Sequence, residues 1–182
     1  TRDILKGSYY FHHLLYSTTI INFYIFPLII LIKDIGNKLK SNIFKKEYFL
    51  FNISVFIFIF YIIFFYQIQN EIILGKGVFY KLSILLFNEY ILQKIFLSIV
   101  FLFASIIIFK FIKGDYKNIF VISFLIFGSI IYWPILQEYF DPLILILFFT
   151  FLKSEIIFEK RKLLLINIFF VCFLIFCSMY YS

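Results

Sequence analysis

Long apolar stretches separated by short groups of charged residues dominate the pattern of this chain. The clearest one runs from Tyr48 to Tyr66 as almost unbroken Phe and Ile, and an apolar stretch of about 18 residues or more is long enough to cross a bilayer as a helix. The pattern predicts six transmembrane helices, at about residues 14–32, 48–66, 91–109, 119–136, 142–158 and 163–180. The predicted fold class is an all-α integral membrane protein with a single membrane domain over residues 1–182.

The fifth segment fits two structures. Its apolar part, residues 143–152, is short enough for a re-entrant hairpin. A helix that continues to Phe158 is long enough to span the bilayer. This requires that Lys153 and Glu155 face other helices or extend to the membrane surface. A crossing keeps the basic run Lys160–Lys162 on the same side as the other basic loops. Six spans are therefore predicted.

Between the second and third spans, at residues 67–94, charged residues divide apolar pieces that are too short to cross a bilayer. The Gly75–Lys76–Gly77 sequence indicates a turn. Residues 78–87 are predicted to lie in the headgroup plane as an interfacial segment, with Lys81 facing water.

Composition agrees with this fold class and excludes an ordinary soluble domain. Hydrophobic residues make up 64% of the chain, and the mean hydropathy is +1.02. Phe, Ile, Tyr, Asn and Lys are the residues that A+T-rich codons supply, so the abundance of aromatic residues does not by itself indicate an aromatic binding site. Cys172 and Cys177 lie in one apolar segment, which suits neither a disulfide framework nor a zinc site. No metal and no cofactor are predicted.

The distribution of basic residues predicts the orientation, because cytoplasmic loops collect Lys and Arg. With both ends of the chain outside, most basic residues fall in the three inside loops: Lys33, Lys38, Lys40, Lys45 and Lys46; Lys110, Lys113 and Lys117; Lys153, Lys160, Arg161 and Lys162. The net charge of +7 then lies on the cytoplasmic side. Short scattered lysines between spans indicate topology and contact with the lipid bilayer, and no nucleic acid is expected as a partner.

The strongest candidate site lies in the outer connection between the fourth and fifth spans. Gln137, Glu138, Tyr139 and Asp141 stand here between apolar segments. A tight turn holds Glu138 and Asp141 close enough to share a cation, a sugar hydroxyl or a protonated base. An ordinary solvated turn with aromatic anchors explains the same residues.

Five further residues on the predicted outer side are candidates for substrate binding. His12 and His13 lie at the mouth of the first span and can hydrogen-bond a phosphate, although histidines are common at an interface. Glu71, Lys76 and Lys81 can meet the head of a lipid-linked substrate, and a solvated interfacial loop accounts for them equally well. Phosphate-binding loops, dinucleotide fingerprints, nucleophile elbows and zinc-binding helix motifs are absent from the sequence.

The order of these features resembles the C-terminal half of GT-C-type membrane glycosyltransferases. A glycine turn followed by residues 78–83, spans with short basic loops, and residues 137–142 opening a late helix carry the likeness. It is nearest to the dolichyl-phosphate-glucose-dependent α-1,2-glucosyltransferase group. The matching positions are Pro134, Glu138, Tyr139 and Pro142. The basic residue expected beside the aromatic of that motif is missing, and Phe140 and Asp141 occupy the neighbouring places.

The resemblance implies transfer of a sugar from a polyprenyl-phosphate donor on the non-cytoplasmic side. In such enzymes the catalytic acid lies in the first outer loop, which here places it upstream of Thr1. Glu138 and Asp141 are therefore expected to position the acceptor or the donor.

Two other classes of protein stay open from the sequence. A small-solute transporter or channel also uses broken helices, for which Pro27, Gly128 and the Pro134–Pro142 interruption are candidates. A non-catalytic structural membrane subunit fits the same composition.

Overall fold

The computed structural model describes residues 11–32, 48–66, 76–112, 115–130, 137–150 and 159–181. Side chains are described for all of these except residues 137–139, 141, 142, 177 and 179–181. Within these ranges the elements are seven helices: α1 His13–Ile29, α2 Phe49–Phe64, α3 Gly77–Leu86, α4 Tyr90–Ile112, α5 Tyr116–Gly128, α6 Gln137–Thr150 and α7 Lys160–Tyr181. The all-α prediction is confirmed for the described part of the chain.

Helix α1 lies at the centre of the bundle. Every residue of α1 except Leu14 and Phe26 is buried, and the helix packs against α3, α4, α5, α6 and α7. Its sequence suits this position because small hydroxyl residues let neighbouring helices approach closely. Thr19 Oγ1, for example, donates to the Tyr16 carbonyl oxygen at 2.9 Å, so its burial leaves no donor unsatisfied.

Helices α2 and α4 pack antiparallel. Phe51, near the start of α2, stacks on Phe109 near the end of α4, with ring centroids 4.1 Å apart. At their other ends, Lys94 Nζ donates to the carbonyl oxygen of Ile63 at 3.3 Å. The two contacts together fix opposite directions for the two helices.

Helix α6 runs in the same direction as α4, and α5 runs in the opposite direction to α1. Phe148, near the end of α6, stacks on Phe111 near the end of α4 at 6.0 Å. His13 Nδ1, at the start of α1, donates to the carbonyl oxygen of Ser129, just beyond α5, at 3.0 Å. By these contacts the directions of α1, α2, α4, α5 and α6 alternate along the chain.

The start of α1 lies at the same end of the bundle as the ends of α2 and α5. His12 precedes α1 and stacks on Tyr66, which follows α2, with ring centroids 4.8 Å apart. The starts of α4 and α6 point to this end as well, by the contacts given above. We call it the histidine end.

Four helices match predicted spans closely, namely α1, α2, α4 and α7. Two differ. Helix α5 ends at Gly128 instead of near residue 136, because a tighter turn follows in which Ile130 N–H donates to the Phe127 carbonyl oxygen at 3.1 Å.

Helix α6 begins at Gln137, five residues before the predicted start at Pro142. The predicted outer turn at residues 137–141 is therefore the first part of a helix. Pro142 lies at the sixth position, where its missing N–H removes one intrahelical hydrogen bond without ending the helix.

The predicted interfacial segment is a helix, α3, that begins at a sharp turn. Lys76 and Gly77 have φ values of 64° and 80°, which is the left-handed region that favours glycine. Tyr80 and Ser83 on α3 are buried against the rest of the bundle. Of the helices in the described ranges, one, α4, is long and apolar enough to cross a membrane.

Candidate functional site

Six residues meet at the histidine end in what we call the histidine–tyrosine cluster. They come from three places in the chain, and each is carried by a helix end: His12, His13 and Tyr16 at the start of α1, Tyr66 after α2, and Lys76 and Tyr80 at the start of α3. Only the packing of three helices brings them together, since 50 residues separate Tyr16 from Tyr66.

Tyr16 is the centre of the cluster. Its side chain is 1% exposed, and its hydroxyl lies 2.8 Å from the hydroxyl of Tyr66 in a buried hydrogen bond. The Tyr16 ring also packs edge-to-face on the Tyr80 ring, with centroids 5.5 Å apart. Such paired hydroxyls in a buried setting fix the positions of both rings.

The two histidines differ in their surroundings. His13 is 2% exposed, and because a carbonyl oxygen can only accept, its Nδ1 carries the hydrogen donated to Ser129. His12 is only partly buried and packs edge-to-face on His13 at 4.6 Å. His13 therefore ties α1 to α5, and His12 is the imidazole nearer to the surface.

Lys76 places a cation against the tyrosine rings. Its Nζ lies 4.5 Å from the ring centroid of Tyr80 and 5.8 Å from that of Tyr16, within the range of a cation–π contact. The same atom donates to the Tyr80 hydroxyl at 3.4 Å. Lys76 is 7% exposed, and its burial lowers the pKa of the ammonium group.

Burial, together with the neighbouring His13 and Lys76, lowers the pKa of His12 to about 4. His12 is therefore neutral near pH 7 and presents one donor and one acceptor nitrogen. A neutral imidazole beside a partly desolvated ammonium group can hydrogen-bond an anion while adding no charge. The arrangement suits a small anionic group such as a phosphate.

The lowered pKa of His12 predicts a pH-dependent stability. The group takes up its proton near pH 6.5 in the unfolded chain but only near pH 4 in the folded chain. Between these values the unfolded state binds more protons, so the free energy of unfolding falls as the pH is lowered from 6.5 to 4. Replacing His12 with phenylalanine is expected to flatten this dependence, as measured by denaturant unfolding at a series of pH values. An unchanged slope in His12→Phe contradicts the assignment.

Of the candidate residues predicted from the sequence, the structure brings His12, His13 and Lys76 into one cluster. Lys81 follows Tyr80 on α3, is partly exposed, and takes no part in the cluster contacts described above. Glu71 lies outside the described residues.

The strongest sequence candidates, Gln137, Glu138, Tyr139 and Asp141, lie in the first turns of α6. Their backbone is helical, and their side chains lie outside the described part. The start of α6 points toward the histidine end, so the two groups of candidates occupy the same end of the bundle.

Sequence reasoning missed Tyr16, Tyr66, Tyr80 and Ser129. The abundance of tyrosine in the chain carries no information on where each ring lies. One usable signal existed: Ser17, Thr18, Thr19 and Asn22 place four uncharged polar residues close together in the first span, which is typical of a helix surrounded by other helices.

Comparison of the chain with protein-family models, with curated proteins and with solved structures found no match.

Proposed function

We propose that this chain is a multi-pass membrane protein with about six spans, and that its histidine end faces the non-cytoplasmic side. There the histidine–tyrosine cluster binds the phosphate of a polyprenyl-phosphate sugar, and the chain contributes to a membrane-embedded glycosyltransferase. The observation that carries this proposal is the convergence of Lys76, His12 and His13 on one end of the bundle.

Exposed apolar side chains support the membrane location. On α2 alone, six large side chains are more than half exposed: Phe49, Leu50, Phe56, Ile57, Phe60 and Phe64. Monomeric soluble proteins rarely expose a contiguous apolar surface of this kind, whereas hydrocarbon chains cover it without cost. The alternating helix directions and the length of α4 favour the same location.

The basic residues support the proposed orientation. Lys110 at the end of α4 and Lys117 at the start of α5 lie at the opposite end from the cluster, and the loops predicted on that side hold most of the 17 Lys and Arg residues of the chain. Since Lys and Arg collect on the cytoplasmic side, the histidine end is assigned to the other side. A lipid-linked donor presents its phosphate at the headgroup level, which is where an end of the bundle lies.

Lys76 and His12 are the groups proposed to contact the phosphate. The ammonium group supplies a positive charge, and the imidazole supplies a hydrogen bond. Glu138 and Asp141, at the start of α6, are proposed to position the sugar or the acceptor hydroxyl. The chemistry is transfer of the glycosyl group to that hydroxyl, with the polyprenyl phosphate as the leaving group.

Photo-crosslinking tests this proposal. A polyprenyl-phosphate hexose with a photoreactive group close to the phosphate is added to the protein in nanodiscs, and the labelled peptides are identified by mass spectrometry. Labelling is expected in residues 11–16 and 76–80. Labelling spread evenly over the exposed faces of α2 and α4 contradicts the proposal. Such a pattern is expected of a lipid that contacts the whole bundle surface and does not bind at the cluster.

A specific observation favours transport of a small solute as a second candidate function. Asn22 Oδ1, Gln93 Oε1 and Ser98 Oγ are buried and lack a hydrogen-bond partner among the described residues. Unpartnered polar atoms within a helical bundle are costly and suit a polar path. Uptake of a solute by proteoliposomes, without labelling of the cluster by the sugar lipid, distinguishes this function.

A further inference from the structure

Helix α7 attaches to the bundle through one face. Phe169 and Phe173 contact Phe23 of α1, with ring centroids 5.1 and 4.9 Å apart, and Ile166 is buried on the same side. The rest of the helix surface that the structure describes is largely exposed.

The opposite face of α7 carries a regular stripe. Leu164, Asn167, Val171, Leu174 and Ser178 follow one another at alternating intervals of three and four residues, and all five are exposed. Leu164, Val171 and Leu174 are 61%, 53% and 65% exposed. This spacing is the 3.5-residue repeat of two helices that pack along a common seam, with Asn167 at one of the seam positions.

Asn167 distinguishes this stripe from a surface that faces only lipid. Asn167 follows the basic residues at the start of α7 and lies about 7.5 Å further along the helix axis than Lys162. Its side chain makes no hydrogen bond within the described residues. Polar residues in membrane helices usually face other helices, because hydrocarbon offers no partner for them. An amide on the face turned away from the described helices therefore favours a partner beyond them.

We propose that this stripe is the interface of a homodimer, in which α7 of one copy packs parallel to α7 of a second copy and the two Asn167 amides hydrogen-bond to each other. The inference goes beyond the proposed glycosyl transfer and rests only on the membrane location. An amide has a partially negative oxygen and a partially positive nitrogen, so two copies related by a two-fold axis complement each other. Two copies inserted with the same topology have parallel helices about an axis normal to the membrane, and this geometry pairs Asn167 with itself.

The amide pair, and not the apolar residues, provides the specificity of this interface. Lipid tails are as apolar as leucine, so the stripe gains little from leaving lipid. Replacing Asn167 with leucine is therefore expected to weaken dimerisation, roughly threefold to tenfold, whereas in water the same change strengthens many coiled coils. Asn167→Gln keeps both hydrogen-bonding groups and is expected to retain most of the dimer.

Disulfide cross-linking in membranes tests the interface. In a background with Cys172→Ala and Cys177→Ala, Val171→Cys lies on the stripe and Ile168→Cys lies beside it, and both positions are exposed. Oxidation is expected to link Val171→Cys severalfold faster than Ile168→Cys, and the additional change Asn167→Leu is expected to remove that advantage.

Equal rates at the two positions, or a rate at Val171→Cys that Asn167→Leu leaves unchanged, overturn the dimer proposal. Alkaline extraction of the same membranes reports separately on insertion. Protein that is released by alkali contradicts the membrane location, and protein that stays inserted without selective cross-linking contradicts the dimer alone.

Discussion

Replacing Lys76 with methionine is expected to weaken binding of a polyprenyl-phosphate sugar by roughly 10- to 100-fold. A hydrogen bond to a charged group contributes about 1.5 to 3 kcal/mol, and this change removes the charge while keeping an unbranched side chain that can pack on the rings of Tyr16 and Tyr80. The measurement is equilibrium binding of a labelled sugar lipid to the protein in nanodiscs.

Two control variants make the Lys76 experiment specific. Lys76→Arg keeps a cation at the same place and is expected to retain more binding than Lys76→Met. Lys81→Met removes a cation from the same helix at a partly exposed position outside the cluster contacts, and little change is expected. Wild-type binding in Lys76→Met, or an equal loss in Lys81→Met, rejects the cluster as the phosphate site.

Replacing Phe148 with alanine is expected to lower the free energy of unfolding by about 3 to 5 kcal/mol. Phe148 is 0% exposed and stacks on Phe111, so the substitution leaves a cavity inside the bundle. Thermal unfolding or denaturant titration in detergent measures the change.

The neighbouring Phe149 provides the matched control, because it is 54% exposed. Phe149→Ala is expected to have a small effect, since lipid or detergent fills the space that the ring leaves. Similar losses in the two variants contradict the burial of Phe148 within the bundle and its stacking on Phe111.

The existence of the helices could be predicted from the sequence, and their ends could be predicted only in part. An apolar run such as residues 48–66 leaves the backbone few alternatives to a helix, and α2 is found there. The ends of α5 and α6 depend on local hydrogen bonds that the pattern does not encode. Pro142, which is a good first residue of a helix, lies inside α6.

Half of the residues of the candidate site were predicted from the sequence, and their arrangement was not. His12, His13 and Lys76 stood out because titratable residues are few in a chain that is 64% hydrophobic. Which of them meet depends on the long-range packing of α1, α2 and α3. Tyr16 could not be selected from 14 tyrosines by spacing alone, because its role follows from burial beneath residues that are distant in the chain.

The cluster also shows how a single charge is accommodated at a helix start. Lys76 adopts a left-handed backbone conformation, which is uncommon for a residue with a side chain. Its ammonium group lies over tyrosine rings and beside a hydroxyl, and these contacts offset part of the cost of burial. Strain of this kind persists where the surrounding structure holds it, as at many functional sites.

Cysteine accessibility on either side of α4 tests the proposed orientation most directly. Asn88 is exposed between α3 and α4, and Tyr116, which is 90% exposed, begins α5 at the opposite end of the bundle. Single cysteines at these positions, with Cys172 and Cys177 replaced by serine, are treated in intact cells with a membrane-impermeant maleimide. Labelling of Asn88→Cys before permeabilisation and of Tyr116→Cys only after it is the predicted result. The reverse pattern places the histidine end in the cytoplasm and contradicts a site for a sugar lipid on the non-cytoplasmic side.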